Sequence, residues 1–457
     1  MDSEENHDTA YISTTNACKL CKPLGACLAF RGVEGAVPFL HGSQGCATYM
    51  RRYIISHFRE PMDIASSSLG EKQAVYGGGP NLKQGLSNVM KKYGARLIGV
   101  ATTCLTETIG DDVPGIVREF RQEAQGEEPA PAEIVTVSTP SYSGTHMEGF
   151  HAAAKALVKQ LAEPGEPTDA INLLPGLVSP ADIRYLKEIL EDFGLPGIIL
   201  PDISETLDGP AQLDYEKIPA GGTPLASIKA MGRSRATLEC GRSLLGQETA
   251  GRWLETRFGV PRYALGMPIG LQETDRFFKV LEETSGRAIP SLHALERGRL
   301  LDAYVDGHKY LFNQRAVVYG EEDLVVGLTS FLAEIGVQPV LCASGGKSGH
   351  FQEAIAEVTG EIAPEPPLVM EGADFYEIAA AAEGLAPDLI IGHSKGYKMA
   401  QTLQTPLIRV GFPIHDRFGG QRLLHLGYRG AQQLFDRLVN AVLEKKQQDS
   451  AVGYGYL

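Results

Sequence analysis

Residues 36 to 46 read Ala-Val-Pro-Phe-Leu-His-Gly-Ser-Gln-Gly-Cys, and this stretch decides the fold. The apolar run from Val37 to Leu40 predicts a buried strand, and the small polar residues after it predict a turn. Helix-compatible sequence begins directly afterwards at Ala47, so we expect Cys46 at or near the N-terminus of a helix. Backbone N–H groups at that position stabilise an anion such as a thiolate. A strand that leads at once into a helix is the repeating unit of an α/β sheet.

The same unit recurs along the chain. Most of the apolar runs are short and end in Gly, Pro, Ser or Thr, which is typical of parallel strands covered by helices on both faces. We predict strands at Leu97–Ala101, Glu133–Val137, Ile171–Leu174, Gly197–Leu200, Arg315–Tyr319, Pro339–Cys342, Asp388–Ile391 and Leu407–Val410. We predict helices at Ala47–His57, Gly149–Leu161, Pro180–Phe193 and Glu322–Ile335. The sequence therefore predicts an α/β protein of several doubly wound domains.

The length of the chain allows more than one such domain. A chain of 457 residues can form two or three domains that each bury a core of their own. The Pro- and Gly-rich stretch at 163–167 and the segment at 285–291 are the candidate boundaries. We predict domains at 1–165, 166–288 and 289–457.

The composition is that of an ordinary globular protein, with 43% hydrophobic and 21% charged residues. The formal charge of -14 argues against a nucleic-acid binder, because such a protein needs concentrated Lys and Arg to neutralise phosphate. No apolar run approaches the roughly 18 residues of a membrane span. The acidic start from Met1 to Asp8 is unlike a signal peptide. We therefore expect a cytoplasmic protein whose seven cysteines are reduced thiols or metal ligands.

Three cysteines occupy loop or strand-end positions. Cys46 follows the first predicted strand, Cys104 follows another, and Cys21 precedes a Lys-Pro dipeptide. Ligands collect at the carboxyl ends of strands in open α/β sheets, so we expect Cys46 and Cys104 to share one edge of a sheet. Ser141 lies a few residues past the end of a further strand and is expected in the same kind of location.

Three such thiols suggest a shared metal cluster. Iron and sulfide suit them better than zinc, because the Cys18–Cys21 pair has no second pair to complete a tetrahedral site. From the residues alone, buried structural cysteines remain an equal alternative, and Ser141 remains an ordinary turn residue as an alternative. The other cysteines are expected to be inert: Cys18, Cys27, Cys240 and Cys342.

Several motifs together resemble the β-type subunit of nitrogenase component 1 and its relatives, over nearly the whole chain. The relatives include vanadium and iron-only nitrogenases, cofactor-assembly scaffolds and nitrogenase-like reductases. The motifs that carry the resemblance are Cys21–Ala26, His41–Cys46, His57–Pro61, Tyr76–Gly78, Thr102–Cys104 with Glu107 and Gly110–Asp112, Thr139–Ser141, Glu296–Leu300 and Pro406–Pro413. The resemblance implies three Rossmann-like doubly wound parallel-sheet domains and an α2β2 assembly with an α-type partner.

The resemblance also implies a cofactor. Cys21, Cys46 and Cys104 match the β-side ligands of an [8Fe-7S] P-cluster shared with the α-type partner, and a simpler [4Fe-4S] cluster is the alternative. Ser141 matches a serine that binds one iron of the oxidised cluster. Electrons would arrive from an ATP-dependent iron protein and leave for a cofactor in the partner. Tyr76 matches an aromatic residue near the face on which the iron protein docks.

A cation site is implied as well. Glu60, Asp302 and Asp306 match a divalent-cation site between two β-type subunits. Asp302 and Asp306 are one helical turn apart, a spacing that lets two carboxylates face one hard cation. Ion pairs with Arg59 or Arg299 are the alternative role for these acids.

Two features bear on the branch of the family. Cys21 comes early in this chain. The molybdenum nitrogenase β subunits that the chain resembles are expected to carry a long N-terminal extension before the matching cysteine. Many assembly scaffolds lack a cysteine at the position of Cys104, whereas this chain has both Cys104 and Ser141. We therefore predict an electron-transferring reductase that cleaves C–S bonds, as methylthio-alkane reductases do. The alternatives are a cofactor-assembly scaffold, a nitrogenase β subunit, and a structural subunit without a cluster.

Overall fold

The computed structural model describes residues 17–123, 132–214, 216–244, 246–360 and 362–452. The acidic start from Met1 to Asp8 lies outside these residues. The described chain forms three parallel sheets covered by helices, which confirms the predicted α/β class and the three Rossmann-like domains.

The first sheet has four parallel strands in the order β2-β1-β3-β4. Its strands are β1 (Ala36–His41), β2 (Ala65–Ser66), β3 (Leu97–Thr102) and β4 (Glu133–Val137). The accompanying helices are α1 (Lys22–Arg31), α2 (Gln44–Phe58), α3 (Glu71–Tyr76), α4 (Gly79–Tyr93), α5 (Cys104–Ile109), α6 (Val113–Glu123) and α7 (His146–Leu161). Every residue of β1 and β3 is buried, as expected for central strands covered on both faces.

The second sheet also has four parallel strands, in the order β6-β5-β7-β8. Its strands are β5 (Ile171–Leu174), β6 (Gly197–Ile199), β7 (Ala236–Cys240) and β8 (Arg262–Leu265). Its helices are α8 (Pro180–Asp192), α9 (Leu225–Ala230), α10 (Ala250–Phe258) and α11 (Gly270–Ser285). One large hydrophobic core joins residues of this domain with residues of the other two.

The third sheet has five parallel strands in the order β11-β10-β9-β12-β13. Its strands are β9 (Arg315–Gly320), β10 (Gln338–Ser344), β11 (Leu368–Met370), β12 (Leu389–Gly392) and β13 (Leu407–Arg409). Its helices are α12 (Ser291–Leu311), α13 (Glu322–Glu334), α14 (Phe351–Thr359), α15 (Phe375–Leu385), α16 (Tyr397–Leu403) and α17 (Gly427–Asp449). The chain order reverses between β9 and β12, as in a mononucleotide-binding half of a doubly wound sheet.

The eight strands predicted after β1 are all present, with ends shifted by at most two residues. Four further strands were not predicted, namely β2, β7, β8 and β11. The two-residue β2 and the three-residue β11 are too short to give a pattern, and β8 has no buried residue. The strands of each sheet fall inside one predicted domain, while the boundaries at 165 and 288 stay predictions. Among the described residues, no helix is both long enough and apolar enough to cross a bilayer.

Candidate functional site

Cys46 and Cys104 lie at the carboxyl ends of the two central strands of the first sheet. β1 ends at His41 and β3 ends at Thr102, and these two residues pair across the sheet. Cys46 is the third residue of α2, and Cys104 is the first residue of α5. Because β1 leads to β2 on one side and β3 leads to β4 on the other, the two thiols flank the topological switch point. Open α/β sheets bind their ligands at this point.

Ser141 joins the same edge through β4. The backbone N–H of Ser141 donates to Sγ of Cys104 at 3.2 Å. Thr139 fixes this approach, because its N–H and hydroxyl both bond to Thr102 at 2.8 Å. The structure therefore brings Ser141 against Cys104, while the predicted role of Ser141 at a cluster stays a prediction.

Cys21 reaches this edge from the N-terminal side. It caps α1 and forms an isolated antiparallel bridge with Thr145, four residues after Ser141. On the other side, the Cys21 thiol lies within electrostatic range of Tyr49, which is one helical turn beyond Cys46 in α2. The bridge thus connects Cys21 to the Ser141 segment, and its thiol lies within electrostatic range of the helix of Cys46.

The position of α1 depends on a close crossing with α7. A Cβ on Gly25 would lie 1.6 Å from the carbonyl oxygen of His146, and a Cβ on Gly149 would lie 1.8 Å from that of Lys22. The backbone of Leu20 is held by His146 as well, since Leu20 N–H donates to Nδ1 at 3.2 Å. The two glycines therefore allow the approach that sets Cys21 at the end of α1.

Burial separates the cysteines into two groups. Cys21, Cys46 and Cys104 are half-buried, whereas the four cysteines expected to be inert are all buried. Burial raises the pKa of Cys18, Cys240 and Cys342 to about 12, with nearby carboxylates adding to the effect for Cys18 and Cys240. A thiolate is the form that binds metal, so these three positions disfavour ligation.

His41 links the two strand ends that lead to Cys46 and Cys104. Its carbonyl oxygen accepts bonds from the hydroxyls of Thr103 and Thr106, both at 3.0 Å. Its ring bonds to Ser67 Oγ at 2.9 Å and to Asp111 Oδ2 at 3.0 Å. Burial lowers the pKa of His41, and Asp111 opposes this shift. The bonds of His41 to Ser67 and Asp111 were not predicted, because 26 and 70 residues separate these partners from His41 and no local pattern connects them.

The donor set fits a polynuclear cluster and not a single ion. Among the described residues, no three His, Cys, Asp or Glu side chains are close enough together to hold one metal ion. A polynuclear iron–sulfur core differs because each thiolate can bind a different iron. Half-buried thiols at the starts of three helices, with nearby backbone N–H groups, have the chemistry that such a core requires.

The predicted cation ligands are not brought together within one chain. Glu60 follows α2, where burial and Asp208 raise its pKa while Arg31 and Arg422 oppose the shift. Asp302 and Asp306 are exposed on α12. These acids form no three-carboxylate metal group within the described chain. The prediction places them between two copies, so it stays a prediction.

Tyr76 is exposed at the end of α3. It is 80% exposed, and the adjacent Val75 is 75% exposed. Two large side chains that face solvent side by side are available for contact with another protein. Its predicted role in docking stays a prediction.

Comparison with known proteins agrees with this geometry. Residues 21–443 match the family described as "Nitrogenase component 1 type Oxidoreductase". The chain is 36% identical to the nitrogenase molybdenum-iron protein beta chain of Clostridium pasteurianum, covering 95% of this chain and 94% of that protein. It is 35% identical to the nitrogenase vanadium-iron protein beta chain of Trichormus variabilis, covering 92% of each.

The similarity extends to a solved structure. A chain of "Nitrogenase Cp1 at pH 6.5" superposes with a TM-score of 0.94 at 33% sequence identity, covering 98% of this chain and 97% of that one. The fold and the family match define an α/β oxidoreductase of three parallel-sheet domains. The chain belongs to the nitrogenase component 1 family of iron–sulfur oxidoreductases, on its beta-chain side.

Proposed function

We propose that this chain is the electron-transfer β subunit of a nitrogenase-like component 1 reductase. The observation that carries the proposal is the placement of Cys46 and Cys104 on either side of the first sheet's switch point, with Ser141 bonded to Cys104. Cys21 is connected to the same edge through Thr145. Residues of this kind serve a bound group at the sheet edge and not the protein core.

Cys21, Cys46 and Cys104 would hold one side of a P-cluster-type [8Fe-7S] centre, and an α-type partner would supply the remaining ligands. When bound, the cluster accepts and releases electrons one at a time. The chain's own residues orient the three thiols, and the first turns of their helices stabilise negative charge on sulfur. Ser141 would lie beside the iron held by Cys104, since its N–H already contacts that sulfur. A [4Fe-4S] centre is the alternative.

The assembly proposed is an α2β2 heterotetramer that is reduced by an ATP-dependent iron protein. Tyr76 and Val75 offer an exposed apolar surface for the iron protein. Glu60 of one β subunit and the Asp302–Asp306 pair of the other would share a divalent cation. The exposure of that pair on α12 supports this role, because exposed carboxylates can bind a cation together with a second copy of the chain.

For the reaction, we propose reductive cleavage of the C–S bond of methylthio-alkanes. The chain is 36% identical to a molybdenum-iron beta chain and 35% identical to a vanadium-iron beta chain, so these identities do not assign it to either branch. The presence of Cys104 and Ser141 together supports an electron carrier over an assembly scaffold. The alternatives are a nitrogenase β subunit, which the names of those relatives favour, and a scaffold for the iron–molybdenum cofactor.

The test uses the complex purified with its α-type partner and supplied with the iron protein, ATP and reductant. We expect Mössbauer spectra of an eight-iron interfacial centre, and release of methanethiol from a methylthio-alkane. Ammonia from dinitrogen without methanethiol would contradict the C–S assignment and favour a nitrogenase. Transfer of cofactor to an apo-nitrogenase, with only a [4Fe-4S] centre present, would contradict electron transfer and favour the scaffold.

A further inference from the structure

A turn of the third domain is hydrogen-bonded to the segment that leads to Cys21. Lys395 lies in the turn Ser394–Gly396, which begins two residues after the end of β12. Its ammonium group donates to the carbonyl oxygen of Ala17 at 2.9 Å and to that of Lys19 at 3.1 Å. Cys21 is only two residues beyond Lys19, so a third-domain side chain constrains the backbone that leads to a predicted ligand.

The turn is itself held firmly. Tyr319 is fully buried, and its hydroxyl donates to the carbonyl oxygen of His393 at 2.6 Å. Ser394 N–H donates to the carbonyl oxygen of Pro413 at 3.1 Å. Ser394 also bonds through its hydroxyl to Asp416. Lys395 therefore projects from a fixed platform, and its position does not depend on a mobile loop.

The ammonium group is also placed where its charge acts on the site. The thiols of both Cys18 and Cys21 lie within electrostatic range of Lys395. The side chain is partly buried, so its charge is screened less than that of an exposed lysine. Of these two thiols, Cys18 is buried and Cys21 is half-buried at the cluster edge.

We propose that Lys395 is a positioning residue for Cys21 that also raises the reduction potential of the bound cluster. The inference rests on the proposed function and adds a residue of a different domain that positions one of the ligands. Reduction adds negative charge to an iron–sulfur core, and a nearby cation stabilises the more negative state. The two carbonyl bonds keep the cation and the ligand segment in a fixed relation.

The test compares three variants in the complete complex with the α-type partner. Lys395→Met removes the charge and the donors, Lys395→Arg keeps both, and Lys398→Met removes an exposed lysine one turn away in α16. Iron content and the midpoint potential of the cluster, from an EPR-monitored redox titration, are the readouts. We expect a more negative potential in Lys395→Met, with values near wild type in Lys395→Arg and Lys398→Met.

The outcomes separate the inference from the proposed function. Loss of iron in Lys395→Met that Lys395→Arg restores would support the positioning role. Equal potentials in wild type and Lys395→Met at equal iron content would contradict the inference alone, as would equal shifts in Lys395→Met and Lys398→Met. A wild-type complex without an interfacial cluster would contradict the proposed function and the inference together.

Discussion

At the scale of single residues, His57 shows how a buried side chain can make the protein sensitive to pH. It lies in the last turn of α2, and its Nδ1 atom accepts a hydrogen bond from the backbone N–H of Ile414 at 2.8 Å. A protonated Nδ1 cannot accept that bond. Burial lowers the pKa of His57 from 6.5 to about 4. The folded protein therefore holds this imidazole neutral.

This neutral histidine predicts a loss of stability in acid. Between pH 6.5 and 4 the unfolded chain binds a proton at His57 that the folded chain does not, so stability is complete above that window and falls as the pH falls through it. The contribution is on the order of 3 kcal/mol over the window. We expect His57→Gln to flatten the decrease in unfolding midpoint between pH 7 and pH 5. The exposed His308→Gln should leave it unchanged, and identical slopes in all three proteins would contradict this role.

The ligand positions illustrate what local sequence can predict at this scale. Cys46 was expected near a helix start because strand, turn and helix follow one another within a few residues, although α2 begins at Gln44 and not at Ala47. The bond between His57 and Ile414 could not be anticipated, because 357 residues separate the two partners. Lys395 was missed for the same reason, since its acceptors Ala17 and Lys19 are more than 370 residues away.

At the scale of elements, the crossing of α1 and α7 determines where Cys21 lies. α1 begins just after Cys21, and α7 begins just after its bridging partner Thr145. Gly25 and Gly149 let the two backbones touch, and a side chain at either would meet a carbonyl oxygen. The geometry of Cys21 is therefore set by helix packing some distance from the thiol.

A single methyl group should test this dependence. Gly25→Ala would place its Cβ against the carbonyl of His146, and backbone cannot move aside as a side chain can. We expect a loss of about 3 kcal/mol in unfolding free energy, together with reduced cluster iron. The control is Gly384→Ala in α15, where a Cβ meets nothing within 4 Å. That change should be neutral or stabilise by up to about 1 kcal/mol, and equal effects would contradict the packing argument.

At the scale of elements, the prediction succeeded for strands with a continuous apolar run and failed for the others. β9 and β12 are buried almost throughout and were expected within a residue or so of their observed ends. β8 has no buried position, so its hydrophobic signal is weak. β7 was missed although it is buried, because Thr237 and Glu239 interrupt its apolar pattern. Glu239 is tolerated inside because Arg262 bonds it at 2.6 Å from the neighbouring strand.

At the scale of the whole molecule, the first and third domains meet around the N-terminal segment and not only through their cores. His393 Nε2 lies 3.8 Å from Cys18 Sγ, and His146 of the first domain contacts Glu321 of the third at 2.9 Å. Burial alone would raise the pKa of Glu321, but His146, His393 and a backbone hydrogen bond together bring it below its usual value. These contacts join the third domain to the N-terminal segment that leads to Cys21.

The proposed cation site belongs to this scale because it needs two copies of the chain. Replacing both Asp302 and Asp306 with Asn would remove two carboxylates that a hard cation prefers. We expect the double variant to dissociate into αβ pairs in size-exclusion chromatography at lower protein concentration than wild type, and wild type to do the same in chelator. Glu282→Gln, which changes an exposed carboxylate on α11, is the control. A double variant that stays tetrameric like wild type would contradict the site.

The central claim is that Cys21, Cys46 and Cys104 jointly hold one side of an iron–sulfur cluster shared with a partner. The most direct measurement is the iron content and EPR spectrum of the purified complex carrying Cys46→Ala, set against Cys342→Ala. We predict loss of interfacial cluster iron and its signal in the first variant. Cys342 is buried in β10 beside Thr329, so its removal should spare both. Full iron in Cys46→Ala, or equal loss in the two variants, would contradict the account.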